Sequence, residues 1–168
     1  MATKLQTQII AEPGKQELFI IREFDAPREL VFRAFSEPEL LMQWMGPREL
    51  DMRIDKLDNR THGSWRFVHT DPAGNEYGFN GVIHEVAAPE RMIRTFEFEG
   101  LPVRGHVSLE FLELTALPGE RTKVTSQSIF KSVMDRDGMI QSGMERGVKD
   151  SHERLDDLFE KQLKKSMA

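Results

Sequence analysis

The chain has 168 residues, 28 acidic and 23 basic side chains for a net charge of −5, and no cysteine. One domain of roughly 100–200 residues accounts for that length, and the missing cysteine excludes disulfides, thiolate nucleophiles and Cys-based zinc sites. Mild acidity with interspersed charges argues against a nucleic-acid partner, and the lack of an apolar h-region at Met1–Gln6 or of any ~18-residue apolar run predicts a cytoplasmic protein with no membrane insertion.

Residues 1–15 read as an N-terminal arm or an extra edge strand: Gln6 to Ala11 alternates weakly and the turn dipeptide Pro13-Gly14 follows. A single domain then runs over 16–165. Leu18 to Phe24 is rich in β-formers and predicts the first long strand. At Asp25-Ala26-Pro27-Arg28-Glu29 the period changes. A capping residue, an early proline and a first-turn acid open a helix that carries Leu30, Val31, Ala34 and Phe35. Pro38 begins a second short helix through Leu40, Leu41 and Trp44, and Gly46-Pro47 ends it.

From Leu50 to Phe130 the chain alternates strands and signed turns. Strands are expected at about 49–57, 63–70, 76–86, 91–99, 105–115 and 121–130, joined by short links as an antiparallel meander. Val107, Leu109 and Phe111 share one face and Glu110 the other, which reads as one buried and one wet face. The last element is expected to be one helix from about 137 to 164, roughly 40 Å long. Ile140, Met144, Val148, Ser151, Leu155, Leu158, Phe159 and Leu163 form its inward stripe.

Two glycines, Gly143 and Gly147, fall four apart in that helix. Each costs about 1 kcal/mol against alanine in a helix interior, so a packing reason is expected: close helix–sheet approach, the commoner one, or room for a guest. The strands and short helices supply aromatics that are either core or ligand wall. The candidate pocket residues are Phe35, Trp44, Trp65, Phe67, Tyr77, Phe79, Phe96, Phe111, Met139, Gly143, Met144 and Gly147.

Catalytic and metal signatures are missing. The five histidines make no metal-ligand spacing, and there is no nucleophile elbow, phosphate loop or dinucleotide fingerprint. No catalytic residue, metal or cofactor is therefore assigned. Glu85, Glu97 and Glu110 lie on strands; any that faces inward must be paired or protonated, and Arg94 is the nearest partner. Glu85, Arg94 and Glu97 are the candidate polar pocket residues, with a surface salt bridge as the alternative.

Several motifs fall in a recognisable order. They are Phe24-Asp25-Ala26-Pro27-Arg28-Glu29-Leu30-Val31-Phe32, Glu37-Pro38-Glu39-Leu40-Leu41, Gln43-Trp44-Met45-Gly46-Pro47, Asp58 to Phe67, Pro89-Glu90-Arg91-Met92, and Ser142 to Gly147. The chain resembles the START-like (SRPBCC) superfamily, and within it the branch related to the C-terminal domain of the activator of Hsp90 ATPase. The resemblance implies an α+β helix-grip fold (Bet v 1/START-like): a curved antiparallel sheet of about seven strands, two short helices and a long C-terminal helix packed over the sheet. It also implies a pocket for apolar or amphipathic small molecules, and its members include lipid and hormone carriers and polyketide cyclases. His62, Met45 and Val148 depart from the branch, where Gly, Trp and an aromatic are frequent. The resemblance carries over no catalytic residue.

Three functions follow as expectations. The first is binding of an apolar or amphipathic small molecule between sheet and C-terminal helix. The second is a co-factor of an Hsp90-type chaperone, or a stress-response interaction module. The third is a cyclase-, aromatase- or hydrolase-like enzyme using pocket ionisable residues, which fold alone does not establish. A homodimer is compatible with the composition, which does not select it.

Overall fold

The computed structural model describes residues 5–167; of the arm 1–15, residues 1–4 lie outside the described residues. The strands are β1 (Gln8–Ile10), β2 (Glu17–Phe24), β3 (Asp51–Leu57), β4 (Ser64–Thr70), β5 (Glu76–Ala87), β6 (Arg91–Phe98), β7 (Val107–Leu117) and β8 (Arg121–Ile129). They form one antiparallel sheet in the order β1-β2-β8-β7-β6-β5-β4-β3. Residues 8–10 of the arm thus pair as an edge strand on β2, and the six strands β3 to β8 run as a meander with short turns between them.

Two short helices, α1 (Arg28–Ser36) and α2 (Pro38–Trp44), connect β2 to β3. Asp25 does not cap α1. Pro27 is the N-cap and accepts no side-chain role; the Asp25 carboxylate instead takes a hydrogen bond from Arg121 Nε at 2.9 Å. The extended conformation that Pro27 prefers already sets the helix entry.

The C-terminal helix is interrupted. Helix α3 (Val133–Gln141), capped by the Ser132 hydroxyl accepting from the Asp135 amide at 3.0 Å, is followed by α4 (Met144–Ser166). Gly143 sits between them at φ +85°, the left-handed region where a side chain is costly. Gly143 therefore reads as a break and not as a notch within one helix, and it does not share a helix face with Gly147.

The core lies between the sheet and α1, α2 and α4, around Phe24, Val31, Leu41, Ile83, Leu155 and Phe159. The α4 stripe is as expected: Ser151, Leu155, Leu158 and Phe159 are buried. The faces of β7 are not. Arg94 stands opposite Glu110, and Ile93 opposite Phe111. Met92, Leu112 and Leu114 point into the core with Glu110, while Leu109 and Val107 are exposed on the outside. Because side chains alternate strictly along a strand, Phe111 shares that outer face. The inward strip of β7 is the one holding the acid.

Candidate ligand-binding site

The inner face of β4, β5 and β6 carries an aromatic ladder. Trp65 and Phe67 lie 4.7 Å apart between centroids, Trp65 and Phe96 6.0 Å, Phe96 and Phe79 5.6 Å, and Phe79 and Phe98 5.1 Å. Trp65 and Phe67 are buried, whereas Phe79, Phe96 and Phe98 are half-buried. Gly81 on β5 faces Trp65. A Cβ there would fall on the Thr95 carbonyl oxygen and 2.5 Å from Trp65 Nε1, so the ladder closes only over a residue without a side chain. The indole N–H of Trp65 is buried without a hydrogen-bond acceptor.

Next to this ladder a charged pair breaks the apolar surface. Arg94 Nε donates to Glu110 Oε1 at 3.1 Å, with both side chains about three-quarters buried. The Arg94 guanidinium also lies over the Trp65 ring, 4.5 Å from its centroid, a cation–π contact. No hydrogen bond from the two terminal nitrogens of Arg94 is found among the described residues. The pair opens on a cavity of about 70 Å³ lined by Phe35, Met45, Met92, Arg94, Glu110, Leu112 and Ser126.

The helices form the opposite wall. Phe35 at the end of α1 packs on Trp44 of α2 at 4.9 Å, and Trp44 Nε1 donates to the Ala34 carbonyl at 2.8 Å, which fixes the indole. The loop after α2 is held to α4: the Gly46 amide donates to Ser151 Oγ at 2.9 Å and Arg154 Nη1 donates to the Gly46 carbonyl at 3.1 Å. Beside that loop, burial and then the Arg154 charge push the His69 imidazole below its ordinary value, so it sits neutral against Phe79.

The structure brings Phe35 and Arg94 to the cavity wall, with Trp44, Trp65, Phe67, Phe79 and Phe96 in or against the surrounding core. Other expected positions lie elsewhere. Phe111 is on the outer face, and Tyr77 is at the exposed start of β5, where its hydroxyl donates to Asp71 Oδ2 at 3.1 Å. Met139 and Met144 are half-buried on either side of the break, Gly143 is exposed, and Gly147 meets only the Pro47 ring, 3.5 Å from where a Cβ would stand.

Glu85 and Glu97 are not pocket residues. Glu85 pairs with Arg91. Glu97, opposite outward-facing Val107, accepts from Arg104 at 2.7 Å, from the Gly105 amide at 2.9 Å and from Asn80 at 3.5 Å. Arg104, then the Gly105 amide, hold its carboxyl down at about 2. The partner of Arg94 is Glu110, and the residues missing from the sequence list are Glu110, Met45, Met92, Leu112 and Ser126. Hairpin register was the signal: it sets Arg94 directly across from Glu110 and Met92 across from Leu112.

Among the described residues no cluster of three or more His, Asp or Glu could hold a metal ion, and no helix is long and apolar enough to cross a membrane. The model of a family described as "Activator of Hsp90 ATPase homolog 1-like protein" matches residues 25–160. None of the curated proteins matches the chain. Among solved structures, a protein from Arthrobacter aurescens is similar at a TM-score of 0.82 and 23% identity, over 92% of this chain and 91% of that one. A protein from Rhodobacter sphaeroides is similar at 0.79 and 26%, over 90% and 96%. An AHSA1 protein from Silicibacter pomeroyi is similar at 0.71 and 23%, over 87% and 99%. The first and third likenesses are of fold alone.

Proposed function

The chain belongs to the family of activator of Hsp90 ATPase homolog 1-like proteins, and from that premise we propose that it binds a small amphipathic molecule at the Arg94–Glu110 cavity. The observation that carries this reading is the ion pair itself. A three-quarters-buried salt bridge is weak evidence for stability, because desolvation offsets most of its Coulombic gain. Here it lies beside Trp65, Met92 and Leu112, where apolar side chains would pack at least as well. Its free guanidinium edge suits a carboxylate, phenolate or carbonyl oxygen, and Phe35, Met45, Met92 and Leu112 suit the apolar body of the same molecule.

The volume bounds the ligand. About 70 Å³ holds waters, and a benzene ring needs a cavity of about 150 Å³. Binding therefore involves widening, and the flexible side chains of Met45 and Met92 supply it. This argues for a molecule of single-ring size and against a long-chain lipid carrier. The test is native mass spectrometry of the purified protein against a denatured control. A bound organic molecule of a few hundred daltons or less, released on denaturation and reduced in Arg94→Met, is the expected result. Arg94→Met retaining as much of it as the wild type would overturn the site.

A co-chaperone role is the second reading, favoured by the family match over α1 to α4. It predicts that the protein changes the ATPase rate of an Hsp90-type chaperone from the same cell, and an unchanged rate retires it.

A further inference from the structure

The hydrogen bond between Arg94 Nε and Glu110 Oε1 uses only part of what the pair offers. Among the described residues, Glu110 Oε2 accepts no hydrogen bond and the terminal nitrogens of Arg94 donate none. The Ser126 hydroxyl on the same cavity wall is equally unused among the described residues. Ser126 ends a row that runs Met92, Leu112, Ser126 across three strands, beside the row that sets Arg94 against Glu110. It is the one hydroxyl in that lining, and a hydroxyl there without a partner is costly. None of these atoms is sealed in as Trp65 Nε1 is.

The groups differ in what they ask of a guest. Guanidinium N–H groups only donate, a carboxylate oxygen only accepts, and a hydroxyl does either. A guest that satisfies all of them brings an acceptor to Arg94 and a donor to Glu110. Charge points the same way. Arg94 and Glu110 together are neutral, and among the described residues no other ionisable group lines the cavity. A carboxylate at the Arg94 edge is brought beside Glu110, where like charges repel and Oε2 faces another acceptor. An ammonium meets the same obstacle at Arg94.

We propose that the site selects a neutral guest with an adjacent acceptor and donor, an amide carried on a ring or short apolar body, over the carboxylate of the same shape. The carbonyl oxygen takes the free edge of Arg94. One N–H goes to Glu110 Oε2, and the Ser126 hydroxyl takes the other. This rests on the reading of the cavity as the ligand site and narrows the guest to one chemical class.

Benzamide and benzoate test it. They are nearly identical in shape, so any widening of the cavity costs the same for both. Affinities are read from the ¹³C-methyl shifts of Met45 and Met92 at pH 7, where benzoate carries its full charge. The wild type should bind benzamide at least about ten-fold more tightly than benzoate. Glu110→Gln should invert the order, because the repelling charge is gone and the new amide presents a donor beside Arg94. Ser126→Ala should weaken benzamide about two- to ten-fold, the loss of one hydrogen bond, and leave toluene unchanged. Should Glu110→Gln fail to fold, that smaller substitution decides. Arg94→Met separates the selectivity from the site. If benzoate binds the wild type at least as tightly as benzamide and both weaken in Arg94→Met, the site stands and the amide selectivity is overturned. An amide preference that Glu110→Gln leaves in place overturns it as well. If neither probe shifts Met45 or Met92, or Arg94→Met changes neither affinity, the site itself fails and the selectivity with it.

Discussion

The inner face of the sheet has two ends that are built differently. At one, α4 grips β2: the Phe24 ring meets Phe159 and His152 edge-on, each at 5.5 Å, with Leu155 fully buried beside them. Arg22 clamps the contact from the sheet, donating to both oxygens of Asp156 at 2.9 and 2.6 Å. At the other end, under α1 and α2, lie a cavity, two methionines and the Arg94–Glu110 pair. The first end is filled by rigid rings and holds the fold. The second is lined by adaptable side chains and a charge whose hydrogen-bonding capacity is only partly used. On the proposed reading, stability and binding are separated on one surface, and changes at either end should report separately.

The largest effect is expected at the grip. Phe159→Ala removes a fully buried ring and should lose about 3–5 kcal/mol in urea unfolding. A loss no larger than that of a cavity-wall variant such as Met92→Ala would erase the distinction between the two ends.

His152 sharpens the same point through pH. Burial, then the Arg22 charge, lower its imidazole to about 4, and its Nδ1 hydrogen-bonds with Thr7 Oγ1 at 2.6 Å. An unfolded histidine near 6.5 takes up its proton earlier, so between those values the unfolded state binds more protons and stability falls as pH falls. The decrease is on the order of 3 kcal/mol, is absent above the unfolded value, and levels off below about 4. Thermal melts from pH 7 to 4 should show this slope in the wild type and a shallower one in His152→Gln. Equal slopes would mean that the imidazole is not buried in the grip.

At the cavity end the effect on stability is smaller than at the grip. Glu110→Gln keeps the shape and an acceptor for Arg94 but leaves its largely buried charge without a counter-charge and should cost about 1–3 kcal/mol, while strengthening binding of a carboxylate probe at the guanidinium it no longer neutralises. A loss as large as that of Phe159→Ala would make the pair structural. The smallest effect is expected outside both ends. His62 stands at φ +71°, with its amide donating to the Ile83 carbonyl at 2.9 Å. His62→Gly relieves a left-handed residue and should raise stability by about 1 kcal/mol in the same urea titration, with binding unchanged.

Much of this was legible in the sequence. The turn residues at Asp71–Asn75, Ala88–Glu90 and Leu117–Glu120 located the meander, and Pro38 and Gly46 bounded α2. His62 was visible as a departure from a glycine-bearing motif, and its positive φ gives that departure a physical meaning. The faces of β7 were misread because Val107, Leu109 and Phe111 are more apolar than the Glu110 strip, and alternation alone says that two faces differ without saying which one the helices cover. That assignment is made by packing, by Met92 and Leu112 meeting α1 and α2 across the sheet. The same inversion kept Glu110, one of three strand acids for which Arg94 was the expected partner, out of the candidate pocket and brought Phe111 into it. The break at Gly143 was missed because apolar positions on both sides keep helical spacing while φ reverses between them.

The most direct test of the Arg94–Glu110 site uses the methionine methyl groups as reporters. Met45 and Met92 line the cavity, while Met134 and Met167 are exposed and serve as controls. In a ¹³C-methyl NMR titration, benzoate should shift Met45 and Met92 more than toluene does, and Arg94→Met should abolish that preference while leaving the exposed methyls unmoved. Shifts confined to Met134 and Met167, or a benzoate response that persists without Arg94, would contradict the account.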